Sequence, residues 1–120
     1  MTAKRVTPMM LVKDVDASVE FYAKLGLIRQ ETEDPQCIGL VSKDRTGIIL
    51  LGDRYARSSM PPKAVDVLAD KGGLYIWVDD LTDVCDYGEM LGEVRTDYGT
   101  QERYVKQDDR LIVYAQNLAA

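Results

Sequence analysis

Histidine is absent from all 120 residues. That removes the commonest general acid/base near neutral pH and the commonest transition-metal ligand. Ser-His and Cys-His nucleophilic pairs and His-carboxylate iron sites go with it. Cysteine is nearly absent as well. Cys37 and Cys85 stand far apart with no CxxC spacing, so neither a zinc site nor a dithiol motif is readable. Two free, largely buried thiols in a reducing compartment are expected, hence a cytoplasmic protein. Long apolar runs are also lacking. The stretch 48–51 is strand-sized, far below the roughly 20 residues of a membrane span, and the amino terminus has no secretory core. Basic clusters are missing: 15 Lys and Arg stand against 20 Asp and Glu, a net charge of −5 that repels phosphate backbones. Neither nucleic acid nor a membrane is an expected partner.

What is present is an ordinary globular mixture, 46% apolar and 29% charged, in one domain's length of chain. A chain of this size buries enough surface to fold without disulfide or metal. Its most informative feature is an internal repeat. VKDVDASVEFYAKLGLIRQE from Val12 aligns without gaps on VDDLTDVCDYGEMLGEVRTD from Val78, at an offset of 66 residues. Val12/Val78, Asp14/Asp80, Leu25/Leu91, Gly26/Gly92 and Arg29/Arg95 are identical pairs. GLVSKDRTGIILL from Gly39 then matches RYVKQDDRLIVYA from Arg103, at an offset of 64 residues. Two matches in the same order at nearly equal offsets indicate duplication.

Each copy reads as a strand (6–12; 74–78), an amphipathic helix and three strands. Val15, Val19, Tyr22 and Leu25 form the first helical stripe, and Leu81, Val84, Cys85, Gly88 and Leu91 the second. Asp14 and Asp80 stand at N-cap positions, Asp16 and Asp83 complement the helix dipole, and Gly26 and Gly92 are placed to end the helices. The later strands begin near Ile28, Cys37 and Gly47, and near Glu93, Gln101 and Leu111. The fold class is therefore α+β: two tandem βαβββ modules, about 5–52 and 73–118, form a concave, cavity-bearing sheet within one domain of residues 1–120. A long loop, 53–72, joins them; Met60-Pro61-Pro62 interrupts it, and a short helix is expected over 64–70.

Strand alternation sorts the faces. Thr7, Met9 and Leu11 oppose Pro8, Met10 and Val12; Gly73, Tyr75 and Trp77 oppose Leu74, Ile76 and Val78. The aliphatic sets read as helix-facing core. The set with Tyr75 and Trp77 reads as the concave surface, although a large core residue is the competing reading of Trp77. Glu102 is a candidate cation partner or proton acceptor, but parity alone does not say whether Glu102 or the pair Gln101 and Arg103 faces inward.

VTPMMLVKDVDASVEFYAKLGL resembles the first strand and helix of the glyoxalase/bleomycin-resistance, or vicinal oxygen chelate, superfamily. LYIWVDDLTDVCDYGEMLG resembles its second module opening, and YGTQERYVKQDDRLIVYAQ its closing hairpin, with Gln107-Asp108-Asp109-Arg110 at the turn. Metal-dependent members take four ligands from the first and last strands of each module. By position those places are held by Thr7, Leu50, Gly73 and Tyr114, with a one-residue latitude at Leu50. This set does not suit a divalent metal, so neither metal nor cofactor is expected.

The resemblance then implies the metal-free, bleomycin-resistance-type branch: small acidic homodimers that sequester a drug in aromatic-lined clefts and perform no chemistry. The expected ligand is a planar aromatic molecule, with cations among the candidates. Its expected contacts are Thr7, Met9, Leu50, Tyr75, Trp77, Tyr98, Glu102 and Tyr114. One alternative is a metal-free isomerase or lyase with Glu102 or Tyr114 as acid/base; another is a regulatory or assembly module without ligand.

Overall fold

The computed structural model describes residues 2–30, 34–82 and 88–118. The first module runs β1 (Ala3–Leu11), α1 (Val15–Ala23), β2 (Ile28–Arg29), β3 (Cys37–Val41) and β4 (Gly47–Leu51). Asp14 caps α1 by accepting from the Ala17 amide at 3.1 Å, and Asp16 sits in the first turn, as the cap pattern predicts. Val15, Val19 and Tyr22 pack on Ile38, Leu40 and Leu50. The helix ends at Ala23, so Leu25 falls beyond the stripe it was expected to extend and is 64% exposed. Gly26 follows with φ +89°, a turn conformation that favours glycine.

The second module supplies β5 (Gly73–Val78), β6 (Glu89–Arg95), β7 (Thr100–Gln107) and β8 (Arg110–Asn117). Here the helix expectation needs correction. Val84 and Cys85 lie outside the described residues, and 89–91, expected as the helix's last turn, form the start of β6. Met90 pairs with Val105 and Gly92 with Tyr104, so Gly92 is a strand residue rather than a helix stop. Asp80 accepts from the Thr82 amide at 2.9 Å, a local turn contact.

Eight strands form one sheet in the order β2-β3-β4-β1-β5-β8-β7-β6. Each module closes with a parallel pairing of its first and last strands, β1 with β4 and β5 with β8. The modules meet where β1 runs antiparallel to β5, Thr7 opposite Tyr75 and Arg5 opposite Trp77. This is the duplicated α+β architecture that the repeat implies.

The connecting segment is not a long loop. It folds as α2 (Asp53–Ser59) and α3 (Pro62–Lys71), with Pro62 at the helix start, where its missing N–H costs nothing. Ala56, Met60, Ala64, Val65 and Leu68 pack on Met9, Leu51, Tyr104, Leu111 and Val113. The two helices thus cover one end of the concave sheet face and leave the other end open. Among the described residues no helix is long and apolar enough to cross a membrane.

Candidate functional site

The uncovered part of the concave face is a cleft of about 940 Å³. Paired strand residues project to the same side of a sheet, so the register identifies its floor. Arg5 and Thr7 of β1 lie beside Trp77 and Tyr75 of β5. Trp77 is opposite Ala115 and Tyr75 opposite Val113 on β8. Ala115 is opposite Glu102 and Val113 opposite Tyr104 on β7. The question of Glu102 is thereby answered: it faces the cleft, while Gln101 and Arg103 face the other way and both donate to Glu93.

Glu102 is only 3% exposed, and its charge is met by hydroxyls. Tyr104, two residues along the same strand, donates to Oε1 at 2.6 Å. Tyr98, at the turn before β7, donates to Oε2 at 3.2 Å. Tyr75 reaches across β8 to donate to the same oxygen. Tyr55 of α2 lines the same cleft together with Cys37 and Tyr98. The rings of Tyr75 and Trp77 stand edge to face, centroids 5.5 Å apart. Among the described residues no Lys or Arg forms an ion pair with Glu102; the acidic neighbour Asp34 is held by Arg54 at 2.8 Å.

The electrostatics follow from this packing. Burial, then the negative charge of Glu102, pushes the Tyr75 and Tyr104 phenols far above their ordinary value. Tyr98 is pushed up to about 12 by burial and the same carboxylate. Burial also raises the Cys37 thiol, and the nearby Tyr55 hydroxyl only partly opposes it. A thiol held protonated is a poor nucleophile. The arrangement can stack a flat ring, hold a cation near a buried carboxylate, or pass a proton through phenols to Glu102.

The structure brings Thr7, Met9, Tyr75, Trp77, Tyr98 and Glu102 to one cleft. Leu50 and Tyr114 are not there. Leu50 is fully buried beneath α1 with Ile38 and Leu40. Tyr114 packs with Val78, Leu81, Val105 and Ile112 on the same outer face. The cleft-facing neighbours are Ile49 and Val113, so the acid/base role considered for Tyr114 has no geometric basis. Arg5, Cys37, Tyr55 and Tyr104 also line the cleft and were not among its expected contacts. Arg5 and Tyr104 share the parity of Thr7 and Glu102 and were within reach of that argument. Tyr55 and Cys37 enter through the packing of α2, which no local pattern reports.

No family model matches the chain, and no curated protein does. Solved structures do. Methylmalonyl-CoA epimerase from Mycobacterium tuberculosis is similar over 98% of this chain and 93% of its own, at 20% identity and a TM-score of 0.57. Hypothetical protein SA1046 from S. aureus aligns over 97% and 95%, at 15% identity and a TM-score of 0.43. The chain has the vicinal oxygen chelate fold. The epimerase likeness carries the architecture: a mixed eight-stranded sheet built from βαβββ-like repeats.

That fold hosts metal-dependent members, and the donor set of this cleft decides whether a metal fits it. The inward positions on the first and last strands of the modules are Arg5, Thr7 and Met9, Ile49 and Leu51, Gly73, Tyr75 and Trp77, and Leu111, Val113 and Ala115. They offer a hydroxyl, one thioether and a phenol already committed to Glu102, beside a guanidinium and an indole that cannot ligate a cation. Among the described residues no three Cys, Asp or Glu side chains gather as a metal site. The residues do not fit a divalent cation.

Proposed function

We propose that the protein binds a planar, cationic aromatic molecule in this cleft, without a metal, and acts by sequestering it. The observation that carries this reading is Glu102: a carboxylate buried at the floor of an open cleft, ringed by Tyr75, Tyr98 and Tyr104, with no basic group paired to it among the described residues. Removing a carboxylate from water is costly. Three O–H donors offset part of that cost, and an arriving cation offsets more. The faces of Trp77 and Tyr98 suit a flat ring and add cation–π attraction of about 0.5–2 kcal/mol per contact. A net charge of −5 favours encounter with cations.

Titration with N-methylquinolinium, following emission of Trp77, tests the reading; Trp77 is the chain's one tryptophan. Saturable quenching and a raised melting temperature are expected, with neutral quinoline binding about tenfold more weakly, or ~1.4 kcal/mol. Glu102→Gln should remove most of that difference. No saturable response, or equal affinity for the two probes, would defeat the proposal. The same buried carboxylate supports a second reading, a metal-free isomerase or lyase with Glu102 as proton acceptor. Recovering the bound compound chemically unchanged after prolonged incubation favours sequestration; its conversion favours catalysis.

A further inference from the structure

The register of the sheet places a second charge in line with the first. Arg5 pairs with Trp77, Trp77 with Ala115, and Ala115 with Glu102, so all four occupy one row on the cleft face. Arg5 is exposed and lines the cleft, whereas Glu102 is buried at its floor. Three strand spacings separate them, roughly 14 Å between backbones. The indole of Trp77 and the small Ala115 lie between the two charges. Among the described residues Arg5 forms no ion pair, unlike Arg54, Arg57 and Arg103. Arg95 also borders the cleft, but it pairs with Gln101, the parity that points away. Asp97 stands at the rim. The row therefore runs from a free guanidinium, across an aromatic platform, to a buried carboxylate.

We infer that the ligand is bipolar: a flat aromatic body with a cationic group at Glu102 and an anionic group, carboxylate or phosphate-like, reached by Arg5. This rests on the reading of the cleft as a cation site and adds the class of molecule it selects. A guanidinium is suited to the second role because its planar fork takes an oxyanion through two parallel hydrogen bonds. A purely cationic ligand leaves Arg5 unused, and a purely anionic one meets repulsion from Glu102. A zwitterion several ångströms long satisfies both ends.

The test compares three probes by calorimetry: N-methylquinolinium, N-methylquinolinium-6-carboxylate and quinoline-6-carboxylate. The zwitterion should bind about tenfold more tightly than the cation. In Arg5→Gln the ratio of the two affinities should fall to near one, and Arg5→Lys should restore part of it. Lys4→Gln removes the same charge one residue away, off the row, and should leave the ratio as in the parent chain. Equal affinity of the parent chain for cation and zwitterion, or a ratio that survives Arg5→Gln, overturns the bipolar inference while the cation site stands. Tight binding of quinoline-6-carboxylate with none of N-methylquinolinium overturns the cation site, and the bipolar class with it.

Discussion

At the scale of single residues, the decisive group is Glu102, and the phenols around it report on its burial. Their neutral forms are favoured in the folded chain, by burial and by the adjacent carboxylate. The pH consequence has a definite sign. Above about pH 10, the ordinary tyrosine value, the unfolded chain releases phenolic protons that the folded chain keeps, Tyr98 up to about 12. The unfolded state then binds fewer protons, so stability falls as pH rises. Urea midpoints should be insensitive to these groups below about pH 10 and should decline from there toward pH 12. Tyr104→Phe, with one such phenol fewer, should show a shallower decline. Identical slopes in the two chains would contradict the shared network.

Six of the eight expected contacts line the candidate cleft, and Leu50 and Tyr114 do not. Tyr75 and Trp77 were assigned correctly to the concave face, because Leu74, Ile76 and Val78 mark the other face unambiguously. Leu50 and Tyr114 were not, and one cause explains both. A shift of one residue turns a strand side chain to the opposite face. β4 reads Gly-Ile-Ile-Leu-Leu, and β8 contains Leu-Ile-Val-Tyr-Ala, apolar on both faces. Without alternation there is no pattern to set the phase. The 64-residue repeat offset then carried the slip from Leu50 to Tyr114.

At the scale of elements, the connector and β6 depart most from expectation, and they touch each other. A methyl group at Gly92 would lie 2.5 Å from Cγ and 2.9 Å from Cβ of Pro61. Gly92 is therefore a contact glycine that lets the α2–α3 corner approach β6, whereas its repeat partner Gly26 is a turn glycine. Gly92→Ala should destabilise the chain by about 1–3 kcal/mol through overpacking. It should also weaken N-methylquinolinium binding, because Met60 beside that corner lines the cleft. An unchanged urea midpoint would remove this role. The repeat aligned the two glycines, and their conformations differ. Strand β7 needs a partner on its outer edge, and Glu89–Arg95 supplies it. That pairing takes 89–91, the last turn of the expected helical stripe, into the sheet.

At the scale of the whole molecule, the two modules lie side by side, and the cleft spans their junction. Its charge acts over a longer range than its contacts. With a net charge of −5, the protein should attract a cationic probe before contact, and salt should screen that attraction. In stopped-flow measurements with N-methylquinolinium, the association rate should fall several-fold between low and physiological ionic strength, with a smaller change in dissociation. An association rate indifferent to salt would show that the surface field has no part in encounter.

Duplication, fold class, the absence of imidazole chemistry and the aromatic character of the second module were all written in the chain, because repeats, counts and period-two alternation are local properties. Folding alone settled which face Glu102 takes, that Tyr55 and Tyr104 join it, that Arg5 shares its row, and that two helices close one end of the sheet. Those facts depend on the direction and register of pairing between strands, such as Thr7 of β1 opposite Tyr75 of β5, and on packing between elements with no local pattern in common. A one-residue change in register costs little in local propensity and reverses every side chain, so only the assembled sheet could choose.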